Sequence, residues 1–244
     1  LQIDVGNTQT KWRLMDGEVI SARGAQDTSA LIDTGLDLSA VVGITDARFS
    51  SVADSRITQS VKNQLATQFN VELQVAVVSA SAGGVTCGYE DVQALGVDRW
   101  LALVAAYQLY QGAVLVVDVG SAMTLDLVSP EGQHVGGYIL PGLRLMREAL
   151  WRGTEKVKPD MAVDSIDTIN MLVPGAVTED AVNRGCLLAA VATVERLATT
   201  YPAAVVITGG DALSLIEALS LKTDHKPDLV FAGLAVPGVA LESA

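Results

Sequence analysis

Two stretches of the chain set an aspartate directly before a glycine turn, "DVGNTQTK" at 4–11 and "DVGSAMT" at 118–124. In each, an apolar run leads into Asp-Val-Gly, and small hydroxyl or amide residues follow. A carboxylate at the end of a buried strand, next to a glycine, lets the backbone approach a ligand closely. Two such turns would surround a phosphate chain, with their aspartates left to hold a cation. Bare aspartates repel a polyphosphate, and Mg²⁺ bridging phosphate oxygens reverses that sign. Lys11 can direct a positive charge at the same phosphates. One Asp-Gly turn is ordinary hairpin chemistry; two copies in matching surroundings point to a nucleotide. A third close-approach turn, Thr-Gly-Gly in "VVITGGDA" at 205–212, ends another expected strand. The chain has no G-x-x-x-x-G-K-[ST] loop, and "GGVTCG" at 83–88 is not a dinucleotide fingerprint.

Hydrophobic patterning supplies the elements that must position these turns. Strands are expected at 1–5, 11–15 and 18–23, the last entered through an Asp-Gly hairpin signal. "SALIDTGL" reads as a helix with a glycine stop, and 40–47 reads as a strand that "RFSSVADS" could extend or end. At 55–68, Ile57, Val61 and Leu65 fall on one face of an amphipathic helix. A strand at 71–78 and an aliphatic helix at 96–112 complete a first half. The second half repeats the order: a strand at 113–120, two strands around "SPEGQ", a helix opening at "PGLRLM", and a helix at about 178–199. A strand over "AAVVITGGDA" and a helix over "LSLIEALS" follow. For "DLVFAGLAVPGVALE", strand and buried helix both stay open. Each half is therefore β-β-β followed by α/β units, and the junction near 112 has no Ser/Gly-rich tether.

Composition narrows the function. The 244 residues are 50% hydrophobic and 18% charged, as in a globular protein. A net charge of −12 lacks the basic footprint that nucleic acid requires. The apolar runs are too short to span a bilayer, so no membrane association is expected. The chain opens inside an expected strand, without the basic start and cleavage site of a secretory leader. Cys87 and Cys186 show no metal-ligand spacing and read as reduced thiols. His134 and His225 are too few for a zinc site or a Ser-His-Asp triad. A cytoplasmic home is expected.

Taken in order, "DVGNTQTKW", "GYEDVQALGVDRW", "DVGSAMTLD", "GGYILPG", "PGAVTEDAVNRGC" and "ITGGDA" span nearly the whole chain. Together they resemble the type III pantothenate kinases, also called Bvg accessory factor homologues, within the acetate and sugar kinase, Hsp70 and actin superfamily. The resemblance implies an α/β fold made of two ribonuclease H-like lobes, each β-β-β-α-β-α, around a nucleotide cleft. The lobes are expected at 1–112 and 113–244. It implies phosphorylation of pantothenate by ATP to 4′-phosphopantothenate, the first step of coenzyme A biosynthesis, with Mg²⁺ and a monovalent cation, K⁺ or NH₄⁺. Asp98 in "GVDR" matches the general base, although a carboxylate at a helix start is also explained by capping. Tyr89, Gly96, Val97, Arg99 and Thr178 match the substrate side, Arg99 through its fork of donors. Asp4, Gly6, Asn7, Thr8, Lys11, Ser121, Gly209 and Gly210 match the ATP side. Asp4 would also help place Mg²⁺, directly or through water, and Asp118 matches the monovalent-cation position. Ser121 stands where the family usually has Thr and keeps the hydroxyl. The family pattern is a homodimer that completes the substrate pocket at its interface, where Thr178 could act in trans. Two alternatives stay open: a non-catalytic nucleotide-sensing or transcription-accessory protein, and a same-fold kinase for another small acid or polyol.

Overall fold

A computed structural model describes residues 1–69, 71–158 and 173–243. The chain runs β1 (Gln2–Val5), β2 (Gln9–Asp16), β3 (Val19–Asp27), α1 (Leu31–Thr34), β4 (Ala47–Ser51), α2 (Ser55–Gln68) and β5 (Leu73–Ala76). A short hairpin, β6 (Ser81–Ala82) and β7 (Val85–Thr86), leads to α3 (Val97–Tyr110). Then come β8 (Val114–Val119), β9 (Ala122–Val128), β10 (His134–Pro141), α4 (Leu143–Gly153), α5 (Thr178–Thr200), β11 (Ala204–Thr208), α6 (Ala212–Ala218) and β12 (Asp224–His225). The chain ends through α7 (Leu229–Ala235) and β13 (Leu241–Ser243).

These elements form two compact units, Leu1–Gln108 with the final segment from Leu229, and Leu109–Asp228. The first sheet has the order β13-β5-β4-β1-β2-β3 and the second β10-β9-β8-β11-β12. Numbered within its own unit, each reads third-second-first-fourth-fifth, with β13 added beyond the fifth strand in the first sheet: an antiparallel β-β-β meander with two further strands parallel to the first. This is the duplicated ribonuclease H-like, actin-like ATPase fold expected from the sequence.

In the first unit Ile3, Val5, Trp12 and Phe49 of the sheet pack with Leu31, Val61 and Leu65 from the helices. The Ile57, Val61, Leu65 face of α2 meets that core as its period requires. Asp54 caps the helix, accepting from the Arg56 amide at 2.9 Å. In the second unit Leu115, Val117, Val119, Leu125 and Ile207 pack against Leu187, Val191 and Val194 of α5. Buried on both faces, β8 and β11 read as continuous apolar runs, as parallel strands do.

Two expectations shift. The strand expected at 40–47 lies at Ala47–Ser51, because Gly43 takes a left-handed φ of 65° that breaks extension and Ala47 and Phe49 are the fully buried pair beside β1. The stretch left open at the end is a helix and then a strand. That strand, β13, pairs antiparallel with β5, so the segment from Leu229, assigned in sequence to the 113–244 lobe, packs with the first unit. Gly233 makes this possible: a Cβ there would collide with the Leu101 carbonyl of α3, so α7 and α3 meet backbone to backbone.

Candidate active site

In the first unit, β1 delivers Asp4 to the head of a four-residue turn, Gly6 to Gln9, closed by the Gly6 amide donating to the Gln9 carbonyl at 3.1 Å. A side chain at Gly6 would press its Cβ to 2.9 Å from that carbonyl. Asn7, Thr8 and Gln9 are exposed at the tip. Cross-strand register sets Lys11 opposite Asp4 on one side and Ser50 beside it on the other. Ser50, wholly buried, donates to Asp4 Oδ1 at 2.6 Å.

Asp98 rises from the first turn of α3, behind Gly96. Its Oδ1 accepts from the Arg99 amide at 2.8 Å, so the local helix-start role is real. That oxygen folds back over Gly96, where a Cβ would lie 2.6 Å from it, so any larger residue there would displace the Asp98 carboxylate. The Asp98 charge also reaches Asp4. Burial, and then Asp98 beside it, push the Asp4 carboxyl up to about 6, against the downward pull of the Ser50 hydrogen bond and the Lys11 charge. Two aspartates 94 residues apart in sequence thus influence each other electrostatically within the first unit. Arg99 is buried, donates through Nη1 to the Tyr89 hydroxyl at 2.9 Å, and lies 5.6 Å from the centre of that ring. Val97 is the residue that opens α3 between Gly96 and Asp98.

The second unit repeats the turn with one residue fewer. Four residues separate the paired Val5 and Thr10, and three separate Val119 and Met123. Thr124 therefore stands opposite Asp118 where Lys11 stands opposite Asp4. The Gly120 amide donates to the Ala122 carbonyl at 3.0 Å, and Ser121 is exposed at the tip. Gly142, which starts α4, donates to the Ser121 carbonyl at 2.9 Å and lies so near the Gly120 carbonyl that no side chain fits. The Thr-Gly-Gly turn lies on the same strand end. Gly209, at φ 100°, leaves no space for a Cβ between Asp118 Oδ1 and the Val119 backbone, and the Asp211 amide donates to the Val119 carbonyl at 2.9 Å. Gly210 follows, exposed. Asp126, the second aspartate of "DVGSAMTLD", pairs in the core with His134 Nε2 at 3.2 Å.

Asp4, Gly6, Asn7, Thr8, Lys11, Tyr89, Gly96, Val97, Asp98 and Arg99 thus fall in one unit, and Asp118, Ser121, Thr178, Gly209 and Gly210 in the other. Thr178 opens α5 exposed, one place beyond the Val177 cap position. Two hydroxyl residues of this region escaped the sequence reading. Ser50 lies in "RFSSVADS", where sequence leaves open whether the strand extends or ends, and a lone threonine after a strand, as at Thr28, carries no signal of a long-range role. Among the described residues no three acidic, histidine or cysteine side chains cluster as a metal cage. A cation beside Asp4 would take its remaining ligands from phosphate oxygens and water, which suits Mg²⁺.

The profile of the type III pantothenate kinase family matches residues 1–200. A type III pantothenate kinase of Chromohalobacter salexigens is 40% identical, over 100% of this chain and 89% of the relative. Another, from Ectopseudomonas mendocina, is 41% identical over 97% of each chain. Among solved structures, a Baf family protein from Campylobacter jejuni superposes with a TM-score of 0.60 at 20% identity, covering 96% of this chain and 94% of its own. The ethanolamine utilization protein EutJ from Carboxydothermus hydrogenoformans superposes with a TM-score of 0.56 at 14% identity, covering 97% and 89%. Both structural likenesses speak for the fold alone.

Proposed function

Because the chain belongs to the type III pantothenate kinase family, we propose how its own residues divide the work of that reaction. The enzyme phosphorylates pantothenate with ATP, giving 4′-phosphopantothenate, the first step of coenzyme A biosynthesis. Phosphoryl transfer asks the protein for positioning, charge neutralisation and an acceptor for the hydroxyl proton.

Asp98 is the proton acceptor. The observation that carries this is the placement of its carboxylate at the start of α3, held by the Arg99 amide next to the Arg99–Tyr89 pair; its charge also helps raise the Asp4 carboxyl. A hydroxyl held near Asp98 Oδ would lose its proton as its oxygen attacks the γ-phosphorus, and a carboxylate suffices when that transition state is loose. The amide bond from Arg99 fixes the carboxylate's rotamer. Arg99, braced by Tyr89, holds the pantothenate carboxylate or the transferred phosphoryl through its fork of donors.

ATP phosphates rest on Gly6, Asn7, Thr8 and Lys11, with Ser121 on the second turn and the adenosine end on Gly209 and Gly210. Asp4, through its oxygen not engaged by Ser50, would hold Mg²⁺, directly or through water. When bound, that ion neutralises the phosphate oxygens and draws charge from the leaving group. Asp118 is the monovalent-cation residue, supported by a carboxylate oxygen lying against the backbone of the Gly209 turn.

A homodimer is supported by exposed apolar side chains of the second unit. Tyr138 and Ile139 on the edge strand β10 flank a groove of about 870 Å³ against α5, and Leu145, Leu150 and Trp151 add to the exposed set from α4. Thr178, exposed at the opposite end of α5 from that groove, would act in trans only if the partner also reaches the start of the helix. No helix among the described residues is long and apolar enough to cross a membrane, and both cysteines are free thiols, which fits a cytoplasmic enzyme.

Coupled ADP release tests the reading. Release is expected to require pantothenate and Mg²⁺ and to be faster in K⁺ than in Na⁺. Pantothenate-independent release would remove the substrate assignment, and equal rates in the two salts would remove only the role of Asp118.

A further inference from the structure

Thr28 lies 20 residues after Thr8 of the phosphate turn in sequence, yet bonds to that turn twice. Its amide donates to the Thr8 carbonyl at 2.8 Å, and its hydroxyl donates to the Gly6 carbonyl at 2.8 Å. With that hydroxyl proton committed, the Thr10 hydroxyl, 2.9 Å away, must be the donor to Thr28 Oγ1. Both threonines are completely buried. The result is a relay, Thr10 to Thr28 to Gly6, reaching one side of the turn.

This relay has a geometric consequence for the other side. In a trans peptide the C=O and the following N–H point in opposite directions, and the chain has no cis peptide among its described residues. Drawing the Gly6 and Thr8 carbonyls towards Thr28 therefore turns the Asn7 and Gln9 amides away from it, at the exposed tip. Amides held in that direction are what an anionic phosphate needs, and rigidity lowers the ordering cost of binding.

We propose that Thr28, with Thr10 behind it, is a positioning residue for nucleotide binding, which fixes the peptide planes of the phosphate turn from within the core. The proposal rests on the reading of the 6–11 turn as a phosphate site, so the test separates the two.

Binding of ADP with Mg²⁺ is measured by calorimetry, alongside the KM for pantothenate and the melting temperature. Thr28→Val keeps the amide and shape but removes the hydroxyl. It is expected to weaken ADP by about tenfold, the scale of one lost buried hydrogen bond, while the KM for pantothenate moves less than twofold. Thr28→Ser restores the hydroxyl and is expected within threefold of wild type. Unchanged ADP affinity in Thr28→Val, an equal loss in Thr28→Ser, or an equal rise in the KM for pantothenate would overturn the positioning role. If Thr28→Val melts below the assay temperature, Thr10→Val decides: a loss of threefold or more supports the relay, and none overturns it. Lys11→Ala is the control on the underlying reading. If it leaves ADP affinity intact, the phosphate site itself is wrong; if it weakens ADP and Thr28→Val does not, only the relay is.

Discussion

Asp4 is held between opposed influences, and that balance is measurable. Its carboxyl is raised from an ordinary 3.8 to about 6 by burial and by Asp98, with Ser50 and Lys11 pulling the other way. The folded protein therefore binds this proton more tightly than the unfolded chain. Protonation stabilises the fold, so the ligand-free protein loses stability from this site as pH rises from about 4 to about 6. The ceiling is about 3 kcal/mol, from roughly two pKa units at 1.36 kcal/mol each, and is lower here because Asp4 keeps partial access to solvent. Asp4→Asn is thus expected to raise the melting temperature of ligand-free protein by a few degrees near pH 7.5 and to change little near pH 4, by scanning calorimetry. A constant difference across that range would show that Asp4 is not the group at strain. Such a stabilised variant would lose nucleotide binding, as expected when a functional carboxylate is kept at a cost in stability.

At the scale of elements, the two glycine turns are the same device built to different lengths. The extra residue in the first moves Lys11 opposite Asp4, so one hairpin carries a cation beside its aspartate and the other, with Thr124 there, does not. The first needs glycine at Gly6, against the Gln9 carbonyl, and the second needs it at Gly142 and Gly209, which pack on its backbone. Gly209→Ala would force a Cβ into the Val119 backbone at a positive φ; it is expected to destabilise the protein by more than 2 kcal/mol and to weaken ATP, by urea melts and calorimetry. Normal stability with normal affinity would contradict the close packing of that turn on β8. Much of this was legible in sequence, because Asp-Gly turns, the 3.6-residue period of α2 and the apolar runs of β8 and β11 are local signals. Ser50 and Thr28 were not, since each matters through a partner 46 or 22 residues away. The strand β13 was hidden for the same reason: three residues, two of them exposed, acquire their meaning only from pairing with β5.

For the whole molecule, the repeated third-second-first-fourth-fifth order says that one fold was used twice, while "GVDRW" occurs in the first unit alone. Assembly is where surface composition becomes informative. Ile139 and Tyr138 are 64% and 48% exposed on an edge strand, an arrangement that invites a partner. Ile139→Asp with Tyr138→Asp is expected to shift the protein from dimer to monomer in sedimentation and to raise the KM for pantothenate; a dimer that persists would place the interface elsewhere. The central claim, that Asp98 takes the hydroxyl proton beside a phosphate turn it does not itself build, is tested most directly by Asp98→Asn. Turnover and Mg²⁺-dependent ADP affinity are measured on the same preparation. The account predicts kcat lowered by about 10²–10⁴ with ADP affinity within a few-fold of wild type. A variant that turns over normally, or that loses nucleotide affinity in proportion to its rate, would contradict it.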